Sequence, residues 1–259
     1  MIFFDYIILI LLGLSIGSFA NVCALRIPIN LSLLKFSQCP HCNSAIKFYD
    51  NIPILSYLLL RGSTRCCRKS ISLQYPSIEF LSMLMILLIF NKYGFSVDTI
   101  LIYYLMISLL IIFITDYKFF IIPDLISIPL MFLGVIVSFL NLNPLNISIF
   151  DSIIAGSASA ILFFIVSKSF FYLKKRDGLG YGDIKLIAAL GFWTGVESTL
   201  IIVISSSILG VIIGSILIFS NRIGRTDYLP YGCFIVCSSF VVVYLVLWQE
   251  FKLFNEILF

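Results

Sequence analysis

Charge is scarce in this chain. Asp, Glu, Lys and Arg make up 12% of its 259 residues, and histidine occurs once. A soluble globular domain carries about 25% charged residues, so composition argues against a soluble enzyme. Nor is the chain rich in charge and poor in apolar side chains, as a disordered one would be. No low-complexity linker and no internal repeat stands out. Alternation of apolar and polar residues, the mark of a membrane β-barrel, is missing as well. What is abundant is apolar: 61% hydrophobic residues and a mean hydropathy of +1.11, in continuous runs. The fold class that remains is all-α, a polytopic integral membrane protein.

A spanning helix needs roughly 17–25 mostly apolar residues. Eight candidates lie near 6–25, 77–92, 98–115, 125–141, 151–173, 184–196, 197–219 and 231–249. The sixth is short. Gly191, Gly195 and Glu197 mark a break that folds the sixth and seventh into a tight hairpin, and seven spans is the alternative count. Residues 1–97 hold the first span, a Cys-containing loop (26–76) and the second span; residues 98–259 hold the rest.

No Lys or Arg precedes the first apolar run, and Asp5 is acidic where a cleaved signal peptide would be basic. The first span is therefore expected to be retained. Basic residues crowd the loop after it: Arg26, Lys35, Lys47, Arg61, Arg65, Arg68 and Lys69. More follow the third span (Lys118), the fifth (Lys174, Lys175, Arg176) and the seventh (Arg222, Arg225). Thirteen of the 17 basic residues thus share one side, with Lys92 and Lys252 opposite. The positive-inside rule makes that side cytoplasmic and puts both termini outside.

Seven cysteines are present. Cys23, Cys233 and Cys237 fall in spans, where small buried packing is the expectation. The other four lie in the loop, as Cys39-Pro-His-Cys42 and the adjacent pair Cys66-Cys67. Paired thiols in a reducing compartment point to metal rather than to disulfides. Cys-x-x-Cys brings two thiolates onto one tetrahedral Zn²⁺. Adjacent cysteines point apart in extended chain, so the second pair is irregular. Three thiolates, Cys39, Cys42 and Cys67, are completed by Cys66 or by His41.

Ionisable groups at the edge of a span usually face a wet cavity or a partner. Asp5, Asp98, Asp151, Glu250 and Glu256 lie near the outer side and are expected to be solvated. Asp50, Asp177 and Asp227 lie in basic loops where ion pairing suffices. Glu79 opens the second span, either as a first-turn residue favoured by the helix dipole or as a pocket residue. Asp116 and Asp183 differ. Asp116 follows the run Leu-Leu-Ile-Ile-Phe-Ile-Thr, at the cytoplasmic end of the third span. Asp183 closes Gly-Leu-Gly-Tyr-Gly-Asp before an apolar helix. Both are expected at one membrane depth. Gly178, Gly180 and Gly182 would allow positive φ and close helix approach, bringing Asp183 against the third span. Two carboxylates in one site do not both ionise easily, so one keeps a proton and the pair can activate water.

These residues resemble the type IV prepilin peptidases, membrane aspartic proteases of the GxGD type, along roughly 13–240. The resemblance rests on Gly13-Leu-Ser-Ile-Gly-Ser-Phe-Ala-Asn-Val with Arg26-Ile-Pro, and on Asp50-Asn-Ile-Pro-Ile-Leu-Ser-Tyr-Leu-Leu-Leu-Arg-Gly. It continues in Ile71-Ser-Leu-Gln-Tyr-Pro-Ser-Ile-Glu79 and in Asp116-Tyr-Lys-Phe-Phe-Ile-Ile-Pro-Asp124. Gly180-Tyr-Gly-Asp-Ile-Lys-Leu-Ile-Ala-Ala-Leu-Gly191 and Pro230-Tyr-Gly-Cys-Phe complete it. Six segments appear in order at compatible spacing.

The resemblance implies prepilins and pseudopilins of type IV pili or type II secretion as substrates, cut after Gly on the cytoplasmic side of a bacterial inner membrane. It makes Asp116 and Asp183 catalytic, in preference to Asp124. It implies N-methylation of the new N-terminus from S-adenosylmethionine, with Glu79 a contributor, and a structural Zn²⁺. Partners are then the prepilins and the lipid bilayer, and nucleic acid is not expected. Helix dipoles favour Asp183 as base and Asp116 as acid. The chain also departs from the family. The second Cys-x-x-Cys register falls on Thr64 and Cys67, with Cys66 extra. Gln74 stands where Arg usually precedes Tyr-Pro, and Cys233 where Pro is common. Two other readings stay open: a peptidase without methylation, and a transporter or scaffold using Asp116, Asp124 and Asp183 as an ion relay.

Overall fold

The computed structural model describes residues 2–175, 179–222, 224 and 228–258. Gly178, Arg176, Asp177, Arg225 and Asp227 lie outside the described residues. The described chain is helical, with no strand beyond two isolated bridges. The helices are α1 (Ile2–Arg26), α2 (Leu55–Leu59), α3 (Gln74–Tyr93), α4 (Val97–Phe119), α5 (Asp124–Phe139), α6 (Ile149–Lys174), α7 (Tyr181–Phe219) and α8 (Tyr231–Leu258). Among the described residues α1, α3, α4, α6 and α7 are long and apolar enough to cross a membrane, while α5 and α8 offer the shorter apolar stretches Asp124–Phe139 and Tyr231–Leu247. This is a polytopic all-α membrane protein.

The chain forms two compact units, 1–107 and 108–259, whose division falls inside α4. In the first unit α1 packs on α3. Ser82 Oγ donates to the Gly13 carbonyl at 2.7 Å, and Asn21 Nδ2 donates to the Tyr75 carbonyl at 3.3 Å. At the end of α1 the Arg26 guanidinium donates to the carbonyls of Ser32, Leu33, Lys35 and Phe36, and so winds the start of the loop around itself.

In the second unit α7 carries the break that its glycines foretell. A straight helix of its 39 residues would run about 58 Å, against about 30 Å of bilayer hydrocarbon. At Gly195 φ is 72° and ψ is −178°, an extended mirror-image conformation that an L side chain rarely adopts. A break frees carbonyls before it and amides after it, and each must find a partner. Ser152 Oγ donates to the Phe192 carbonyl at 2.7 Å, and Asn143 Nδ2 donates to that of Trp193 at 3.1 Å. The Val196 N–H donates to Asp151 Oδ1 at 3.3 Å. Asp151, expected from sequence to be solvated, thus serves as the cap of residues 196–219. Buried Trp193 fixes α5 beside the break by donating from Nε1 to the Leu130 carbonyl at 2.8 Å.

Candidate active site and candidate metal centre

Asp116 sits in the last turn of α4. The helix stops because Phe120 turns to φ 55°, its N–H still bonded to the Asp116 carbonyl at 2.9 Å. Ile121, Ile122 and Pro123 then run to α5, with Pro123 extended as its N-cap. Asp116 is 5% exposed. Its Oδ2 accepts the backbone N–H of Cys233, in the first turn of α8, at 2.9 Å. The carboxyl is therefore buried in the protein, against the head of α8.

Asp183 is the third residue of α7, whose N-cap is Gly180. Its carboxylate folds back beside the backbone of Gly180, the placement of the acidic half of a capping box. The glycines act differently from the sequence expectation. Gly180 has φ −67°, and neither it nor Gly182 is at positive φ. A helix start needs extended φ at its cap and helical φ after it, which any residue can supply. What the glycines provide is room. A Cβ on Gly182 would stand 3.0 Å from Ile122 Cβ, and one on Gly180 would stand 3.0 Å from Asp183 Oδ2. Ile122, buried in the α4–α5 connection, is the hub of this packing, for a Cβ on Gly232 would meet its Cδ1 at 2.9 Å.

The end of α4, the start of α7 and the start of α8 thereby meet around Ile122, with Asp116 on the first and Asp183 on the second. Asp124 stands apart from this pair. It is half exposed and ion-paired to Lys185 Nζ at 2.6 Å. Gly232, Cys233 and Ile122 were not singled out as site residues from sequence. The signal was Pro-Tyr-Gly-Cys at the head of α8, where a glycine in an apolar helix marks a close approach. Helix ends also bear on the proton. Asp116 ends α4, which disfavours its charge, but it faces the amide end of α8, which favours it. The opposition removes the dipole argument that made Asp116 the acid.

The four loop cysteines form two matching turns. Cys39, Pro40, His41 and Cys42 lie between the bridged residues Gln38 and Ala45; Thr64, Arg65, Cys66 and Cys67 lie between the bridged residues Ser63 and Ser70. In the first, the Cys39 N–H bonds the Ser44 carbonyl and the Asn43 N–H that of Cys39; in the second, the Thr64 N–H bonds Lys69 and the Arg68 N–H bonds Thr64. Asn43 and Arg68 close the turns at φ 56° and 55°. Thr64 thus matches Cys39, and Cys67 matches Cys42. Cys66 occupies the place of His41.

All four sulphurs lie within 4.8 Å of one another. Cys39 and Cys67 are 3.8 Å apart, Cys42 and Cys66 3.2 Å, and Cys66 and Cys67 4.0 Å. Sulphurs tetrahedral about Zn²⁺ at about 2.3 Å stand about 3.8 Å apart, so the donor set fits that ion. The adjacent pair converges, against the sequence expectation, because residues 65–67 form a turn and not extended chain. Hydrogen bonds from Ser44 pull the Cys42 thiol down to about 6, and the Thr64 hydroxyl lowers that of Cys67. Both shifts favour the thiolate a metal needs. Arg65 ties the second turn to Asp50 through a bidentate pair at 2.8–3.0 Å.

Glu79 is the sixth residue of α3, which starts earlier than the apolar run suggests, so it is no first-turn acid. It is 6% exposed, and its Oε2 accepts the Ile54 N–H at 2.7 Å. Ile54 has φ 57°, a strained value for a β-branched residue. Of the span cysteines, Cys23 and Cys233 are buried as expected, whereas Cys237 is exposed.

Comparison with known proteins agrees with this layout. The Bacterial Peptidase A24 N-terminal domain matches residues 11–93, and the Type IV leader peptidase family matches residues 103–215. A Pseudomonas putida protein named prepilin leader peptidase/N-methyltransferase is 30% identical, covering 92% of this chain and 89% of its own length. One of that name from Pectobacterium carotovorum subsp. carotovorum is 33% identical over 78% of this chain and 79% of its own, and one from Aeromonas hydrophila 29% identical over 93% and 89%. No solved structure matches the chain. The identity and coverage of these relatives place the chain in the type IV leader peptidase family.

Proposed function

We propose that this protein is a prepilin leader peptidase that also N-methylates the N-terminus it creates. The observation that carries the reading is the packing of the α4 end that bears Asp116 and the α7 start that bears Asp183 around Ile122, inside the segment matched by the leader peptidase family. The names of the relatives supply the substrate class and the second activity.

In the proposed reaction the prepilin's apolar helix enters from the bilayer with its basic leader in the cytoplasm, at the inner membrane. The peptide bond after Gly meets water held between the two aspartates. The water oxygen bonds to the glycyl carbonyl carbon while one carboxylate takes a water proton. The other carboxyl gives its proton to the amide nitrogen as the C–N bond breaks. One proton enters the pair and one leaves it, so the dyad is reset in total charge. The pair titrates as a unit, and which member is the base is left to the full environment.

Cys39, Cys42, Cys66 and Cys67 would hold one structural Zn²⁺, which fixes the two loop turns on each other. Such a short loop has too little core to hold a shape alone. S-adenosylmethionine would provide the methyl group. Glu79, buried and bonded to Ile54, is the candidate contributor to that transfer. Its part in methyl transfer is to hold the strained Ile54 segment in place.

Co-expression with a prepilin and intact-mass analysis of the product tests the reading. Loss of the leader with one added methyl group is expected. A shortened product without the methyl group would mean a peptidase alone, and an uncut prepilin would refute the assignment.

A further inference from the structure

The loop that carries the cysteines contains a helix that is inside out. In α2 Leu55, Leu58 and Leu59 stand at the i, i+3, i+4 spacing that puts side chains on one face. They are 49%, 65% and 74% exposed, whereas Ser56, off that face, is buried with its Oγ donating to the Ile52 carbonyl at 2.6 Å. A patch of leucine facing water is unfavourable and marks a surface that something apolar covers.

Both ends of α2 are tied to the head of α3. The N–H of Ile54, the α2 N-cap, donates to Glu79 Oε2 at 2.7 Å. Just past the other end, the Gly62 carbonyl accepts the N–H of Ile71, three residues before α3, at 2.8 Å. α3 is among the helices long and apolar enough to cross a membrane, and Glu79 lies about 8 Å along it. α2 is thus held at the depth where that span enters the bilayer. Charge identifies the surface. Residues 26–76 carry seven basic side chains and one acid, Asp50, which Arg65 already holds. Arg61 at the end of α2, and Arg68 and Lys69 beyond it, are exposed.

We propose that α2 is a membrane-docking helix. It lies along the bilayer surface with Leu55, Leu58 and Leu59 at the boundary of headgroups and acyl chains, and with Arg61, Arg68 and Lys69 on anionic lipid headgroups. Apolar burial and attraction to anionic lipid add in such a contact. The same charge repels a cationic peptide, so this face suits lipid and not a basic segment of a substrate. The docking does not require peptidase activity. Because the second cysteine turn follows α2 directly, docking also sets where the candidate metal centre stands at the membrane.

The test places the photoreactive residue p-benzoyl-phenylalanine at Leu59, and separately at Leu58, in the full chain. The protein is reconstituted into vesicles of phosphatidylglycerol with phosphatidylethanolamine, or of phosphatidylcholine alone. Irradiation and intact-mass analysis then identify what each position touches. Both side chains are exposed, and the second position decides the matter if the first replacement does not fold. A lipid adduct is expected at both positions in the anionic vesicles. Its yield should fall about fivefold in Arg61→Gln, the worth of one cation at such a surface, and further in phosphatidylcholine. No lipid adduct at either position, a cross-link within the chain in its place, or capture of a co-reconstituted prepilin in preference to lipid overturns the inference. Equal yields in anionic and phosphatidylcholine vesicles overturn it as well.

Discussion

Cys66 shows how much a single residue can compensate. The second loop turn has Thr64 where the first has Cys39, yet the turn brings the Cys66 sulphur to 3.2 Å from Cys42. If Cys66 is a ligand, Cys66→Ala should lose bound zinc, as measured by metal content of the purified protein. Because Thr64 stands at the place of Cys39, Thr64→Cys added to Cys66→Ala should restore it. Zinc retained in the single variant would exclude Cys66. The two aspartates were legible from sequence because hydropathy alone puts both at span ends. The contact of Cys233 with Asp116 was not, because it runs through a backbone amide from a helix far away in sequence. Nothing in side-chain chemistry distinguishes it.

Helix ends decide most of what happens in the second unit. The α7 break was legible from Gly191, Gly195 and Glu197, but its three satisfying partners were not. Ser152, Asn143 and Asp151 come from neighbouring segments, and small polar residues in apolar helices look alike until the packing is known. Ser152→Ala leaves the Phe192 carbonyl without its donor, and should lower stability by about 1–3 kcal/mol. Gly195→Ala should cost about 1–3 kcal/mol in backbone strain, and more because its Cβ would run into Asp151. Unfolding in mild detergent measures both. The Lys185–Asp124 pair is a contrast. Both partners are well exposed, so Lys185→Met should change stability by less than about 1 kcal/mol. A larger loss would give that pair a structural duty that its exposure does not suggest.

For the whole molecule the membrane sets the frame, and hydrophobic runs made the all-helical class plain. Each segment proposed from sequence as a span coincides with a helix, the fourth (125–141) running two residues past the end of α5 and the sixth and seventh both lying in α7. Sidedness rests on the basic residues. An impermeant thiol reagent should label exposed Cys42 and Cys66 in inverted membrane vesicles and not in intact cells, in metal-depleted protein; labelling from outside would reverse the orientation. The central claim is that Asp116 and Asp183 act as one catalytic unit. It is tested most directly by the rate of prepilin cleavage in Asp116→Asn, Asp183→Asn and the double variant, in purified protein of native fold. Each single variant should lose at least about 10²–10⁴-fold, and the double variant should fall little further, since members of one unit are not additive. A single variant that cleaves at the wild-type rate would contradict the account.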